Sequence, residues 1–211
     1  MKGLIIKDLL NLKKGIGTIL YLIIIYSFFT YTTGNSGMII GIIAFLMTSF
    51  TITSMSYDDM AKWDSYALAM PISRKNIVLS KYLLSLLLGI IGTILATICA
   101  FAIVYIKGDF WGVETILELL LTAYTVFAIS IVYISIVIPL IYRFGVEKAR
   151  ILMVGSFILP TGIGYLLYKM GFRLPSIEVL KVMLYLSPLF LVLILILSSY
   201  IAYSIYNKKD I

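Results

Sequence analysis

The 211-residue sequence contains no histidine, one cysteine and few charged residues, which make up 13% of the chain. Without histidine, hydrolases that use a histidine base and metal sites that use imidazole ligands are excluded. Cys99 cannot form a disulfide within the chain, and its apolar surroundings are typical of a small core residue. A G-x-x-x-x-G-K-[ST] phosphate loop is also absent, so we predict no catalytic site, cofactor or metal on this chain.

The chain is rich in apolar residues, and 62% of it is hydrophobic. A soluble domain has about 45–50% apolar and about 25% charged residues, since its surface needs polar cover. Six apolar runs of about 18–25 residues contain no charge, and each is long enough to cross a bilayer as a helix. The sequence therefore predicts an all-α integral membrane protein with six transmembrane helices.

The six runs fill most of the chain, so residues 1–211 are predicted to form one transmembrane domain. The fifth run contains Pro160, Gly162 and Gly164, which should bend it or break it into a half-helix. The runs are Gly15–Thr33, Met38–Ser56, Tyr82–Ile106, Leu119–Tyr142, Ile151–Tyr168 and Val182–Tyr206.

The connections between the runs differ in their content of lysine and arginine. With both termini cytoplasmic, thirteen of the 17 basic residues lie inside. The four outside are Lys107, Lys169, Arg173 and Lys181. Cytoplasmic loops carry the excess of basic residues, so this bias predicts cytoplasmic N and C termini. The net charge of +7 is then explained by membrane orientation, and we predict no nucleic-acid partner. The connection 34–37 carries no charge and is predicted to be a tight turn.

Residues 1–14, before the first run, have the pattern of an amphipathic helix. Ile5, Leu9 and Leu12 share one face at helical spacing. The polar positions on another face are Lys7, Asn11 and Lys14. This pattern favours a helix that lies in the inner interface of the membrane. The alternative is a basic flank that only sets the topology.

Segment 57–76, between the second and third runs, mixes acidic, basic and aromatic residues. Asp58/Lys62 and Asp59/Trp63 are i, i+4 pairs, which predict a short helix that ends before Pro71. Ser73 is then predicted to be the N-cap of the third span. Such a composition suits a docking surface for another protein. The alternative is a solvated loop with its tryptophan at the membrane interface.

The sequence of segment 57–76 also resembles that of a known family. Residues 62–66 (KWDSY), 70–75 (MPISRK), 77–78 (IV) and 81–82 (KY) follow the pattern W…Y…LP(V/I)SR…IV…KY of small ABC-2-type permeases. Methionine stands at position 70, where leucine is commoner. The layout of the whole chain is similar to that of short permeases of bacterial exporters, including those for phenol-soluble modulin peptides.

This resemblance implies partners and a location. Two permease chains, identical or paralogous, would form a dimer in the bacterial plasma (inner) membrane. Each would dock a separate ATP-binding-cassette ATPase that holds ATP and Mg²⁺. Segment 57–76 would hold the coupling helix, and residues 143–150 a second contact. The implied coupling residues are Asp58, Asp59, Lys62, Trp63, Asp64, Tyr66, Arg74, Lys75, Arg143, Glu147 and Lys148.

Hydroxyl side chains in the second run have two interpretations. Thr48 and Thr51 share one face and Thr53 lies on another. Polar faces in spans usually serve helix packing, and the alternative is a translocation path. No run contains Asp, Glu, Lys or Arg, which counts against an ion-driven carrier.

The sequence thus predicts the permease subunit of an ATP-driven exporter. It would move an apolar or amphipathic cargo, such as peptides or drugs, by alternating access at a dimer interface. The alternatives are an ion-coupled carrier or channel, and a membrane anchor or sensor that docks a soluble partner. For the external segment Lys169–Lys181 the resemblance implies short re-entrant helices, and the alternative is an ordinary connector.

Overall fold

The computed structural model describes residues 1–108, 112–171 and 177–209. In these ranges the chain forms eight α-helices and a 3₁₀ turn at Lys13–Gly15, and no strand is assigned. The all-α prediction is therefore confirmed for the described residues. The helices are α1 (Lys2–Leu12), α2 (Ile16–Thr33), α3 (Ser36–Met60), α4 (Trp63–Ala69), α5 (Arg74–Lys107), α6 (Val113–Phe144), α7 (Val146–Lys169) and α8 (Ile177–Asn207).

Five helices of the described chain are long and apolar enough to cross a membrane. They are α2, α3, α5, α6 and the Val182–Asn207 part of α8, which correspond to five of the six predicted runs. The fifth run lies in α7, which is one continuous helix and is not broken at Pro160. A proline removes a single helical hydrogen bond, and a long helix can continue past it. Since α7 is not among the five, a sixth span stays a prediction.

The external segments differ in how much of them the structure describes. α2 ends at Thr33 and α3 begins at Ser36, so the predicted tight turn is confirmed. Gly34 closes α2 with a φ of 77°, a left-handed conformation that glycine adopts without strain. In the predicted segment Lys169–Lys181, α7 ends at Lys169, α8 begins at Ile177, and residues 172–176 lie outside the described residues.

Helices α3 and α5 approach each other closely along the described bundle. A Cβ atom built on Gly92 of α5 would lie 2.5 Å from Met47 Cβ of α3 and 3.4 Å from Ala44 Cα. The backbones can approach this closely only because Gly92 has no side chain, which is the usual role of small residues between membrane helices. At Gly92 and Met47, α3 and α5 therefore pack directly against each other.

Two apolar clusters lie along this pair. One contains Ile77, Val78 and Tyr82 of α5 with Tyr206 of α8, and the other contains Ile39 and other residues toward the opposite end. We call the first the α4 end, because α1, α4 and the last turn of α8 also meet there. The helices α2 and α8 bury little of their surface within the chain, and their exposed faces are apolar.

α5 is longer than a membrane requires. Its 34 residues extend over about 51 Å, whereas the hydrocarbon core of a bilayer is about 30 Å thick. The surplus allows the first two turns of α5, from Arg74 to Lys81, to lie at the edge of the membrane. Charged side chains in these two turns can then be buried in the protein and still lie outside the hydrocarbon core.

Candidate functional site

Segment 57–76 folds into the end of α3, a turn, α4 and the extended residues that lead into α5. The turn is at Lys62, whose φ of 49° is left-handed, so α3 does not continue into α4. α4 ends before Pro71, and the Ser73 hydroxyl accepts a hydrogen bond from the backbone amide of residue 76 at 3.3 Å. The predicted helix end and the predicted N-cap are confirmed.

The predicted pairing of Asp58 with Lys62 is wrong. Asp58 lies in the last turns of α3, and the left-handed turn at Lys62 ends the helical spacing on which that pair depends. Asp58 instead contacts Lys7 of α1 and Lys81 of α5. Asp59 and Trp63 fall in different helices for the same reason. The predicted short helix exists, but it begins only at Trp63.

Lys81 of α5 is the centre of a buried group of charges. Its Nζ donates to both carboxylate oxygens of Asp8 at 3.0 and 2.9 Å. It also contacts Asp58 Oδ2 at 2.6 Å and Ser54 Oγ at 3.1 Å. Asp8 is 1% exposed and Lys81 is 4% exposed. Four oxygen atoms thus surround an ammonium group that has three protons to donate.

Lys7 closes this group into a ring. Its Nζ lies 2.6 Å from Asp58 Oδ1 and 3.1 Å from Asp8 Oδ1, so each carboxylate contacts both lysines. The ring of Trp63 covers the same ammonium, with its centroid 4.2 Å from Nζ, which is a cation–π distance. We call the four side chains Lys7, Asp8, Asp58 and Lys81 the ionic quartet.

The ionic quartet is neutral as a group, since it contains two ammonium and two carboxylate groups. Moving charges out of water is costly, and their mutual attraction offsets that cost only when every charge is paired. Removing one partner from a buried pair costs about 3–5 kcal/mol, because it leaves the other charge uncompensated. The quartet therefore depends on all four members, although Lys7 retains some exposure at its edge.

The sequence assigned no role to Asp8, and Lys81 entered only as one of the inside basic residues and as part of the KY element (81–82) of the family pattern. The structure buries Lys81 in α5 and pairs it with Asp8. In α1 the buried stripe is Leu4, Asp8 and Leu12, while Leu9 is 41% exposed, so the predicted apolar face is rotated from the buried one. The available signal was the i, i+4, i+8 spacing that puts a lone aspartate between two leucines.

A second set of contacts joins segment 57–76 to the end of α8. Arg74 Nη1 donates to the carbonyl oxygens of Tyr206, Asn207 and Lys209 at 3.2, 2.7 and 3.2 Å. The Tyr206 hydroxyl donates to Asp64 Oδ1 at 3.0 Å, and the tyrosine side chain is fully buried. A cationic side chain is favourable beside the carbonyls that end a helix. Asp64 and Arg74 are thus engaged within the chain.

The other predicted coupling residues lie on the surface of the chain. A cleft at the α4 end is lined by Asp59 and Asp64 of segment 57–76 and by Gly145 and Val146 of the α6–α7 turn. The two segments predicted to contact another protein are therefore neighbours. The exposed residues are Asp59, Lys62, Tyr66 and Lys75 in the first segment, and Arg143, Glu147 and Lys148 in the second.

The three threonines predicted as a translocation path do not share a surface. Thr48 and Thr51 are buried, and Thr53 is half-exposed. The Thr48 hydroxyl donates to the Ala44 carbonyl at 2.9 Å, and a Cβ on Gly89 of α5 would come within 3.3 Å of it. Within one chain, Thr48 and Thr51 therefore lie in the packing between helices.

In the ranges that the structure describes, no group of three or more Cys, Asp or Glu side chains is placed to hold a metal ion. The carboxylates of Asp8 and Asp58 are occupied by the two lysines of the ionic quartet. The α4 end therefore offers ionic contacts within the chain and a charged, aromatic surface outside it.

Comparison with known proteins gives one match. A family model described as "ABC-2 family transporter protein" matches residues 3–207. The match extends from the first turn of α1 to the last residue of α8, so the ionic quartet and segment 57–76 both lie within it. No curated protein and no solved structure matches the chain.

Proposed function

The chain belongs to the ABC-2 family of transporter proteins, and from this we propose that it is the membrane subunit of an ATP-driven exporter. Membership makes it a transport permease and implies an ATP-binding-cassette partner in a membrane context. Hydrolysis of ATP would take place on that separate ATPase, with its Mg²⁺. The bacterial plasma membrane, with the α4 end cytoplasmic, follows from the resemblance and from the loop charges.

The observation that carries the docking proposal is the cleft at the α4 end. It brings segment 57–76 next to the α6–α7 turn, so one soluble protein could contact both. Lys62, Tyr66 and Lys75 are further exposed side chains of segment 57–76, and they supply charge and aromatic contact area. Interfaces use aromatic residues for contact and charges for orientation, which suits this composition. Asp58, Trp63, Asp64 and Arg74 would support this surface from within the chain.

The proposed pathway lies between two chains. Within one chain, α3 and α5 are in contact through Gly92 and Met47, and Thr48 and Thr51 are buried beside this contact. A second permease chain, identical or paralogous, would provide the other wall, and the exposed apolar faces of α2 and α8 are available for it or for lipid. Alternating access at this interface would move the cargo.

The proposed cargo is apolar or amphipathic, such as a peptide or a drug. The exposed faces of the membrane helices are apolar, and the charged side chains of the ionic quartet neutralise one another at the α4 end. These surfaces would therefore attract a cargo through apolar contacts and not through a fixed net charge. This supports an apolar or amphipathic cargo.

The test is reconstitution with an ATP-binding-cassette ATPase, which we would first look for in the reading frames next to that of this chain. We expect a stable complex in nanodiscs, ATP turnover that responds to the permease, and export from vesicles that requires ATP. The variant K62E/K75E should weaken ATPase binding, because it reverses two exposed charges of segment 57–76. K169E, which reverses an exposed charge at the other end of α7, is the matched control.

Other results would identify the alternatives. Transport by the lone chain under an ion gradient would indicate a carrier or channel. A stable complex that hydrolyses ATP without moving any cargo would indicate a membrane anchor or sensor. Equal binding by K62E/K75E, K169E and the unmodified chain would show that the exposed lysines of segment 57–76 take no part in docking.

A further inference from the structure

The ionic quartet joins three helices that are separate in sequence. α1 supplies Lys7 and Asp8, the end of α3 supplies Asp58, and α5 supplies Lys81. α4 is attached as well, because Trp63 lies over the Lys7 ammonium. The same four charges therefore hold both segment 57–76 and the long membrane helix α5.

Charged groups hold helices differently from apolar ones. α1 faces the bundle with two buried leucines, Leu4 and Leu12, and with Asp8 between them. Leucine contacts tolerate small displacements, whereas charge-assisted hydrogen bonds of 2.6–3.1 Å are short and directional. The quartet thus fixes the register of α1 and α3 against α5 more narrowly than the leucines alone would.

The position of Lys81 gives this register a consequence for α5. Lys81 is in the second turn of a 34-residue helix, at the end beside the cleft. Further along, α5 is in backbone-close contact with α3 at Gly92. A displacement at Lys81 is therefore applied to one end of a long, rigid element, which can carry it across the membrane.

We propose that the ionic quartet makes α1, the end of α3 and α5 move as one body, so that displacement of segment 57–76 by the ATPase reaches the membrane through Lys81. This deepens the proposed function and rests on it. Lys7, Asp8, Asp58 and Lys81 are positioning residues in this scheme, since they contact neither ATP nor cargo.

Two double variants divide the quartet without leaving a net charge. D8N/K81M removes every ionic contact of α5 and leaves Lys7 paired with Asp58. K7M/D58N removes the contacts of the α3 end and leaves Asp8 paired with Lys81. Each variant keeps one complete ion pair, so neither contains an uncompensated buried charge. K2M, a lysine-to-methionine change at an exposed position of α1, is the matched control.

The first measurement uses the lone chain in nanodiscs and follows amide hydrogen exchange. In D8N/K81M we expect exchange in α1 to rise at least about tenfold, because α1 loses both Lys81–Asp8 hydrogen bonds and one such bond alone corresponds to a factor of about ten or more. In K7M/D58N the faster exchange should fall instead on the end of α3 and on α4. K2M should match the unmodified chain. Unchanged exchange in both double variants would overturn the proposal, because the buried leucines of α1 would then hold the helices together without the ionic quartet.

The second measurement uses the complex and compares cargo exported per ATP hydrolysed. The ratio is taken on assembled complexes, so a change in ATPase affinity does not enter it. Both double variants should lose about tenfold in export per ATP, which lies within the usual range of coupling between two sites, while K2M should match the unmodified chain. Unchanged export per ATP would overturn the proposal. If D8N/K81M does not assemble, K7M/D58N makes the same test from the other side of the ring. If the unmodified chain binds no ATPase, the proposed function fails, while hydrogen exchange still decides whether the quartet links the helices.

Discussion

Replacing Gly92 by alanine tests how closely α3 and α5 must approach. The added Cβ would lie 2.5 Å from Met47 Cβ, a distance that real Cβ atoms essentially never show. Met47 Cβ is attached to the backbone of α3 and cannot rotate away. The Ala44 Cα, at 3.4 Å, closes the adjacent direction. The helices must therefore separate, which loosens the contact along its length.

The expected cost follows from two opposed effects. Overpacking of a well-packed interior costs about 1–3 kcal/mol. Alanine in place of glycine within a helix is favourable by about 0.5–1 kcal/mol, because glycine loses more backbone freedom on folding. The middles of the two ranges predict that Gly92→Ala lowers the free energy of unfolding by about 1.2 kcal/mol, and their ends bound the change at about 0–2.5 kcal/mol.

Two other glycines in the same helix pair serve as controls. A Cβ on Gly89 would lie 3.3 Å from the ring of Phe127 and from the Thr48 hydroxyl, both of which are side-chain atoms that can shift. A Cβ on Gly41 of α3 would meet nothing within 4 Å. We expect Gly89→Ala to be close to neutral and Gly41→Ala to be neutral or stabilising.

Reversible unfolding in mixed micelles would measure the free energy of unfolding of each of the three variants. We expect Gly92→Ala to be the least stable, Gly89→Ala intermediate and Gly41→Ala the most stable. Equal stability of Gly92→Ala and Gly41→Ala would refute it, because the α3–α5 contact would then accommodate a methyl group without cost.

Three further predictions concern the α4 end. D8N alone should destabilise the chain by about 3–5 kcal/mol in the same unfolding assay, and adding K81M should recover most of that loss, because the double variant carries no unpaired charge. Tyr206→Phe removes the hydrogen bond to Asp64 and should speed tryptic cleavage after Lys208 and Lys209, which a digestion time course would show. Lys75→Glu alone should weaken ATPase binding more at low salt than at high salt, since exposed charges are screened by ions; a loss independent of salt would contradict this.

The membrane helices could largely be predicted from sequence because each apolar run is long and uninterrupted. Length and apolarity are local properties, and the structure has a helix over every predicted run. The tight turn at Gly34 and the cap at Ser73 were also predictable, because the chemistry of a turn or a cap involves residues that are close in sequence.

The ionic quartet could not be predicted in the same way. Asp58 and Lys81 are 23 residues apart, and Lys81 and Asp8 are 73 apart, so only the packing of three helices brings them together. The family resemblance implied that Asp58 is a coupling residue like its neighbours in segment 57–76, because a resemblance in sequence does not show which side chains turn inward. Sequence reasoning identified segment 57–76 but not which of its side chains turn inward.

The closed ring of the ionic quartet has a consequence for the way this sequence can evolve. A lineage that lost Asp8 first would carry an uncompensated ammonium, at a cost of about 3–5 kcal/mol, which is a large part of the stability of a typical protein. Substitutions at these four positions should therefore be inherited in pairs of opposite charge. Related chains are expected to keep the whole ring, keep one complete pair, or replace all four positions with apolar residues.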